Sequence, residues 1–169
     1  MAGPEGSGTS RKSAAGSDTG SLRGVALLKD MPDEAVAALE KICRWESYAD
    51  GDLIFDRTDS SNDVYFIAKG RVRVVGHAKS GQEVAFVDLG EGHHFGELSA
   101  VDNSPRSATL YTLEDTLLAV TSGDAFIDYT REYPAVGLRL MIHFVSTIRT
   151  LNQRVVGLST TTVIQRVYN

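Results

Sequence analysis

The sequence predicts an α+β chain that is mainly β: an antiparallel sandwich or barrel flanked by short helices, with one long helix at its C-terminal end. Three observations carry this. Short apolar or alternating runs recur at near-even spacing from Tyr48 to Val120, glycines punctuate them, and a heptad-spaced apolar stripe follows from Met141 to Leu158.

The elements follow in order. Residues 1–21 are rich in Gly, Ser, Thr and Ala and hold almost no large apolar side chain, so they are expected to be a disordered tail. A helix opens near Pro32, which suits a first helical turn, with Asp33 and Glu34 at the positive end of the dipole. Ala35, Leu39 and Ile42 continue it at helical spacing.

From Trp45 the period shortens. Tyr48 and the runs 53–55, 64–67, 72–75, 84–87 and 117–120 read as strands, separated by Gly51, Gly70, Gly76, Gly81, Gly90 and Gly92. Arg71 and Arg73 alternate with Val72 and Val74 and are read as a solvated face. Residues 98–102 form a helical turn or two, stopped by Asn103-Ser104-Pro105. A short helix starts at Asp124 and ends near Tyr133-Pro134. In the long helix, Met141, Phe144, Ile148, Leu151, Val155 and Leu158 step by 3, 4, 3, 4 and 3. That stripe is read as the seam of a parallel homodimer, with Val136, Leu140, Ile142 and Val145 facing the barrel.

Composition narrows the function. The 169 residues are 42% hydrophobic, ordinary for a chain with a core, and carry a net charge of −5, which gives no electrostatic footprint for nucleic acid. Cys43 is the single cysteine, so a disulfide framework and an iron–sulfur cluster are both excluded, and it is read as a small buried residue. No apolar run is long enough to span a membrane, and no apolar leader segment opens the chain, so a cytoplasmic location is expected.

The chemistry concentrates in Phe95-Gly96-Glu97-Leu98-Ser99-Ala100-Val101-Asp102-Asn103-Ser104-Pro105-Arg106-Ser107-Ala108-Thr109. Gly96 lets a ligand approach the backbone closely. A helix starting there points N–H groups at an anion. Arg106 offers a charge-assisted grip on phosphate oxygens, and Ser107 a hydroxyl. Glu97 would repel a phosphate and suits a sugar hydroxyl instead. The plainer alternative is a turn with a surface ion pair. A metal-enzyme reading on a cupin-type barrel rests on His93, His94 and Glu97, but adjacent strand residues diverge, so no metal site is expected.

This run resembles the phosphate-binding cassette of cyclic nucleotide-binding domains, F-G-E-L-(A/S)…(P)-R-(A/S)-A-T. The likeness extends to the segment Asp63-Val64-Tyr65-Phe66-Ile67-Ala68-Lys69-Gly70-Arg71-Val72, to Leu89-Gly90-Glu91-Gly92 and to the order of elements over about residues 25–158. It implies a jelly-roll-like antiparallel β-roll over 22–133 and a lid and dimerisation helix over 134–158. It implies that Gly96, Leu98, Ser99, Arg106 and Ser107 hold the cyclic phosphate and Glu97 the ribose 2′-OH. Phe86, Val87 and Leu89 fall where the barrel wall meets the base. Leu151 and Asn152 stand where well-studied bacterial activators carry small hydroxyl residues that touch adenine, which leaves Asn152 for the base or for solvent. Ser107 in place of threonine leans toward cAMP over cGMP, and a cyclic dinucleotide is a third ligand class. The stretch from Tyr133 to Val167 resembles the catabolite activator (Crp/Fnr) branch, so residues 159–169 are read as a hinge and the start of a truncated C-terminal domain. DNA contact is expected only through that missing domain. The competing readings are a regulatory domain of a kinase, cyclase or transporter, or the cupin-type enzyme. No catalytic constellation is visible, so no enzyme activity and no cofactor are expected. Ligand binding is expected to order the cassette and the lid helix together as a population shift.

Overall fold

The computed structural model describes the backbone of residues 20–77 and 83–167, and the side chains of residues 20–76 and 87–156. Most of the expected tail, residues 1–19, lies outside the described residues, as do the side chains of Phe86 and Leu158. The chain is tied down from Ser21 onward: the Glu40 carboxylate accepts from the Leu22 N–H at 2.8 Å and from the Ser21 hydroxyl at 3.4 Å.

A 3-10 turn at Ala26–Leu28 precedes α1 (Asp33–Ile42). Strands β1 (Arg44–Tyr48), β2 (Leu53–Phe55), β3 (Val64–Lys69), β4 (Arg71–His77), β5 (Glu83–Gly90) and β6 (His94–Phe95) follow. Helix α2 (Glu97–Asp102) interrupts them before β7 (Thr109–Thr112) and β8 (Thr116–Thr121). Helices α3 (Gly123–Glu132) and α4 (Pro134–Val167) complete the chain. The strands form two antiparallel four-stranded sheets, ordered β1-β8-β3-β6 and β2-β7-β4-β5. This is the mainly-β architecture with flanking helices that the sequence predicts.

Alternation along β3 explains how the core divides. Tyr65 and Ile67 point between the sheets, where they meet Ile54, Phe55, Val72, Phe95, Leu110, Leu118 and Val120. Val64 and Phe66 point the other way, into a helical core of Leu22, Leu28, Leu39, Phe126, Val136 and Leu140. Both faces of β3 are covered, which is why its sequence is continuously apolar rather than alternating. The Tyr129 hydroxyl donates to the Ala35 carbonyl at 2.8 Å and links α3 to α1. Arg73 lies across the β4–β5 ladder from Asp88 and donates two hydrogen bonds to its carboxylate, at 2.7 and 2.8 Å, on an exposed face as expected.

Three features depart from the sequence expectations. Strands β6 and β7 were not anticipated, β6 because it has two residues and β7 because its Thr-Leu-Tyr-Thr run is half polar. On α4, Ile142 and Val145 do not face the barrel: they are 59% and 47% exposed. The barrel-facing line instead steps from Val136 to Leu140 to Phe144, and at 100° per residue 142 and 145 are turned well away from it. Phe144, assigned to the seam, packs against the helical core, whereas Met141, Ile148, Leu151 and Val155 are exposed.

Candidate functional site

The site is built on an aromatic floor. Tyr65 on β3 and Phe95 on β6 are directly paired in the ladder, and their rings stack at 4.9 Å with planes 5° apart. Phe55 leans against both, at 5.4 and 5.9 Å. β6 ends at Phe95, and Gly96 then turns the chain into α2 at φ +85°. A side chain at Gly96 is excluded on two grounds. The left-handed conformation disfavours it, and a Cβ would lie 2.6 Å from the Asp63 carbonyl oxygen and 2.8 Å from the Arg106 guanidinium. Asn103, also left-handed at φ 55°, ends the helix.

Arg106 returns to this floor from the far end of the cassette. It is only 3% exposed. Nη1 donates to the Gly96 carbonyl at 3.1 Å and Nη2 to the Ser61 hydroxyl at 2.8 Å. The guanidinium lies over the Phe55 ring at 4.1 Å and near that of Tyr65 at 5.7 Å. Its Nε is buried without a protein acceptor. Burial pulls the guanidinium pKa down, while Tyr65, Asp59, Asp63 and Glu97 act against the shift; arginine stays cationic throughout. Burial likewise raises the Glu97 carboxyl, opposed by its own backbone N–H and by the Arg106 charge. Among the described ion pairs, Glu97 and Arg106 are not partners. The cassette therefore offers one cation with unspent donor capacity and one carboxylate that does not neutralise it. That combination suits a ligand carrying both an anion and a hydroxyl.

The structure brings Gly96, Glu97 and Arg106 together, while Ser99 is buried one helical turn on, where it lines the neighbouring cleft. Leu98 and Ser107 sit on the exposed side of the cassette. Leu89 packs against the inter-sheet core, Val87 is exposed, and Asn152 lies on the exposed side of α4, where the described contacts do not join it to Glu97 or Arg106. Ser61, Phe55 and Tyr65 were not anticipated. The only local signal was the turn-forming run Asp59-Ser60-Ser61-Asn62, in which the Asp59 carboxylate accepts from the Ser61 N–H at 2.7 Å and fixes the loop against Arg106. A polar cleft of about 400 Å³ runs between this loop and the outer end of the cassette, lined among others by Arg57, Thr58, Asn62, Ser99 and Ser104. Neither Glu97 nor Arg106 lines it, so it borders the charged pair from outside.

The histidines diverge. His93 is exposed, with Nδ1 3.0 Å from the Gly90 carbonyl oxygen, while His94 turns inward against Phe66 at 6.4 Å and His143 at 5.2 Å. Burial pushes His94 down to about 4. Among the described residues, no group of three His, Cys, Asp or Glu side chains is placed to hold a metal ion. No described helix is long and apolar enough to cross a membrane.

Residues 45–133 match the cyclic nucleotide-binding domain. The chain belongs to that family. Within it, the chain is 34% identical over 109 residues to the cyclic AMP receptor protein of Thermus thermophilus, covering 64% of this chain and 50% of that protein. The crystal structure of the Thermus thermophilus catabolite activator protein superposes with a TM-score of 0.73 at 30% identity, over 79% of this chain and 62% of that one. A lysophospholipase of Chaetomium globosum is 29% identical over 107 residues, 63% of this chain and 7% of that enzyme. The chain thus spans half the length of the bacterial receptor and a small fraction of the lysophospholipase.

Proposed function

We propose that this cyclic nucleotide-binding domain is the sensor of a Crp/Fnr-type transcription regulator, with cAMP as the favoured ligand. The observation that carries the reading is the buried Arg106, held on Phe55 beside Glu97 with its Nε lacking a protein acceptor. A cyclic phosphate replaces the neutral acceptors of the guanidinium, the Gly96 carbonyl and the Ser61 hydroxyl, with charged oxygens. Ser107, Ser99 and the backbone from Gly96 to Leu98 complete the phosphate grip, and Glu97 accepts from the ribose 2′-OH. Phe86, Val87 and Leu89 form the wall for the base. Asn152 is a candidate for a base edge or for the helix seam. The domain over 22–133 passes its ligand state to the helix over 134–158, through which two copies pair. Residues 159–169 lead toward a DNA-binding domain outside this chain. The role is regulatory and cytoplasmic, with no reaction of its own and no cofactor beyond the nucleotide.

A second reading, a regulatory domain of a non-transcriptional protein, draws on the similarity to lysophospholipases as well as to the bacterial receptor. Both readings share the ligand and differ in the partner.

The test is calorimetric titration of the chain with cAMP, cGMP and a cyclic dinucleotide. Binding of cAMP is expected, and Arg106→Ala should lose about 2–5 kcal/mol of it, the scale for removing one member of a buried charged pair. An Arg106→Ala variant within about threefold of wild type, well under 1 kcal/mol, refutes the assignment.

A further inference from the structure

The packing of α4 keeps Met141, Ile148 and Val155 of the stripe predicted by sequence on the exposed face and takes Phe144 out of it. With Phe144 drawn into the helical core, the exposed apolar residues of α4 are Leu138, Met141, Ile142, Val145, Ile148, Leu151, Val155 and Val156, and along the middle of that face run Leu138, Met141, Val145, Ile148 and Val155. The steps are 3, 4, 3 and 7, and Asn152, also exposed, divides the last interval into 4 and 3. Written as heptads, Leu138, Val145 and Asn152 occupy a, and Met141, Ile148 and Val155 occupy d. The amide therefore stands in the middle of an apolar seam rather than beside it.

That position discriminates among occupants. Against an apolar partner helix, the buried amide would lose its water partners and gain none. Against a second copy of the same helix, parallel and in register, a faces a′, and each Asn152 amide donates to the carbonyl of its counterpart. The flanks agree. Residues 134–167 contain Arg139, Arg149, Arg154 and Arg166 and no acid, so apposed like charges are the hazard of self-pairing. In the parallel register the e residue Arg149 lies opposite position 144 at g′, whose Phe side chain is turned into its own helical core, and Leu151 at g meets Val156 at e′, so no two arginines face each other.

We propose that Asn152 is the register-setting residue of a parallel two-stranded coiled coil between two copies of this chain, bonding its own counterpart across the two-fold axis rather than the nucleotide base. This rests on the homodimer of the proposed function and not on its ligand.

The experiment combines sedimentation equilibrium of the full chain with oxidative cross-linking of Val145→Cys, an a-position residue that meets its counterpart only in the parallel register. The wild type is expected to be a dimer and Val145→Cys to cross-link. Asn152→Ile, which replaces an exposed side chain, should associate about tenfold or more tightly and populate assemblies larger than two, because the apolar seam no longer penalises other registers. The assignment falls if the wild type is monomeric, if Val145→Cys does not cross-link, or if Asn152→Ile leaves association unchanged. It also falls if that variant loses nucleotide affinity while association holds, since Asn152 then belongs to the ligand. A dimer that cross-links and tightens in Asn152→Ile supports the assignment even where the wild type binds no nucleotide, an outcome that refutes only the sensor.

Discussion

Replacing Gly96 by alanine tests how tightly the cassette is closed. The backbone there is left-handed at φ +85°, which costs a residue with a Cβ about 1–2 kcal/mol. The new methyl would sit 2.6 Å from the Asp63 carbonyl oxygen, a backbone atom on the edge of β3 that cannot swing aside as a side-chain end would. Overpacking of that kind costs about 1–3 kcal/mol. The narrower unfolded ensemble of alanine returns about 0.4–1 kcal/mol. The net is about 1–4.5 kcal/mol, and for a domain of this size each kcal/mol moves Tm by about 2–4 °C. The Tm of Gly96→Ala should therefore fall by about 2 °C or more. Gly90→Ala is the control, since a Cβ there meets nothing within 4 Å and its φ is not positive. Nucleotide titration supplies a second readout, because the same methyl lies 2.8 Å from Arg106 Nη1 and pushes the guanidinium off its floor. A Gly96→Ala protein that melts with the Gly90→Ala control and binds equally well would show that neither the turn nor the contact constrains the site.

The remaining predictions concern protons, thiols and the loop hydroxyl. His94 is held neutral, its pKa about 4 against an ordinary 6.5, by burial first and then by His143 and His93. Its unfolded state binds the extra proton, so the contribution is whole above pH 6.5 and is lost as pH falls toward 4, by up to about 3 kcal/mol. Tm measured across that range should slope, and His94→Phe should flatten the slope; a variant with the wild-type slope refutes it. Burial lifts the half-buried Cys43 thiol to about 12, so with little thiolate present at pH 8 a disulfide reagent should label it far more slowly than a free cysteine. Labelling within the mixing time would count against that burial. Ser61→Ala leaves a second guanidinium nitrogen without its acceptor and should lower ligand-free stability by about 1–3 kcal/mol. Bound phosphate restores an acceptor, so the nucleotide-induced rise in Tm should be larger in Ser61→Ala than in wild type; an equal rise would mean the phosphate never meets that nitrogen.

The cassette was legible because its parts are contiguous. The Gly96 turn, the Glu97 carboxylate and the returning Arg106 lie within eleven residues, and their roles depend on spacing that a sequence displays. The floor beneath it was not, because Phe55, Ser61 and Tyr65 come from β2, β3 and the loop between them and read locally as core and turn. Strand β3 was visible through its unbroken apolar run, whereas β6 has only two residues, and its pairing with β3 supplies what its length cannot. Of the heptad-spaced stripe on α4, Met141, Ile148, Leu151 and Val155 are exposed and Phe144 is not, because it packs against the helical core. A helix of 3.6 residues per turn offers two adjacent apolar lines, and only the contact of Phe144 with the helical core says which one the barrel takes.

In the ligand-free chain the hydrogen bond from Arg106 to the Gly96 carbonyl closes residues 96–106 into a loop, the carbonyl at the turn tied to the cation that returns to it. Its circumference is therefore fixed. One residue added or removed between Asn103 and Arg106 displaces the chain by up to about 3.5 Å, more than the whole length of that bond. The segment can exchange side chains along its exposed outer edge, at Leu98, Val101 and Ser104 for instance, but it cannot change in length. The site is counted in residues as strictly as it is spelled in them.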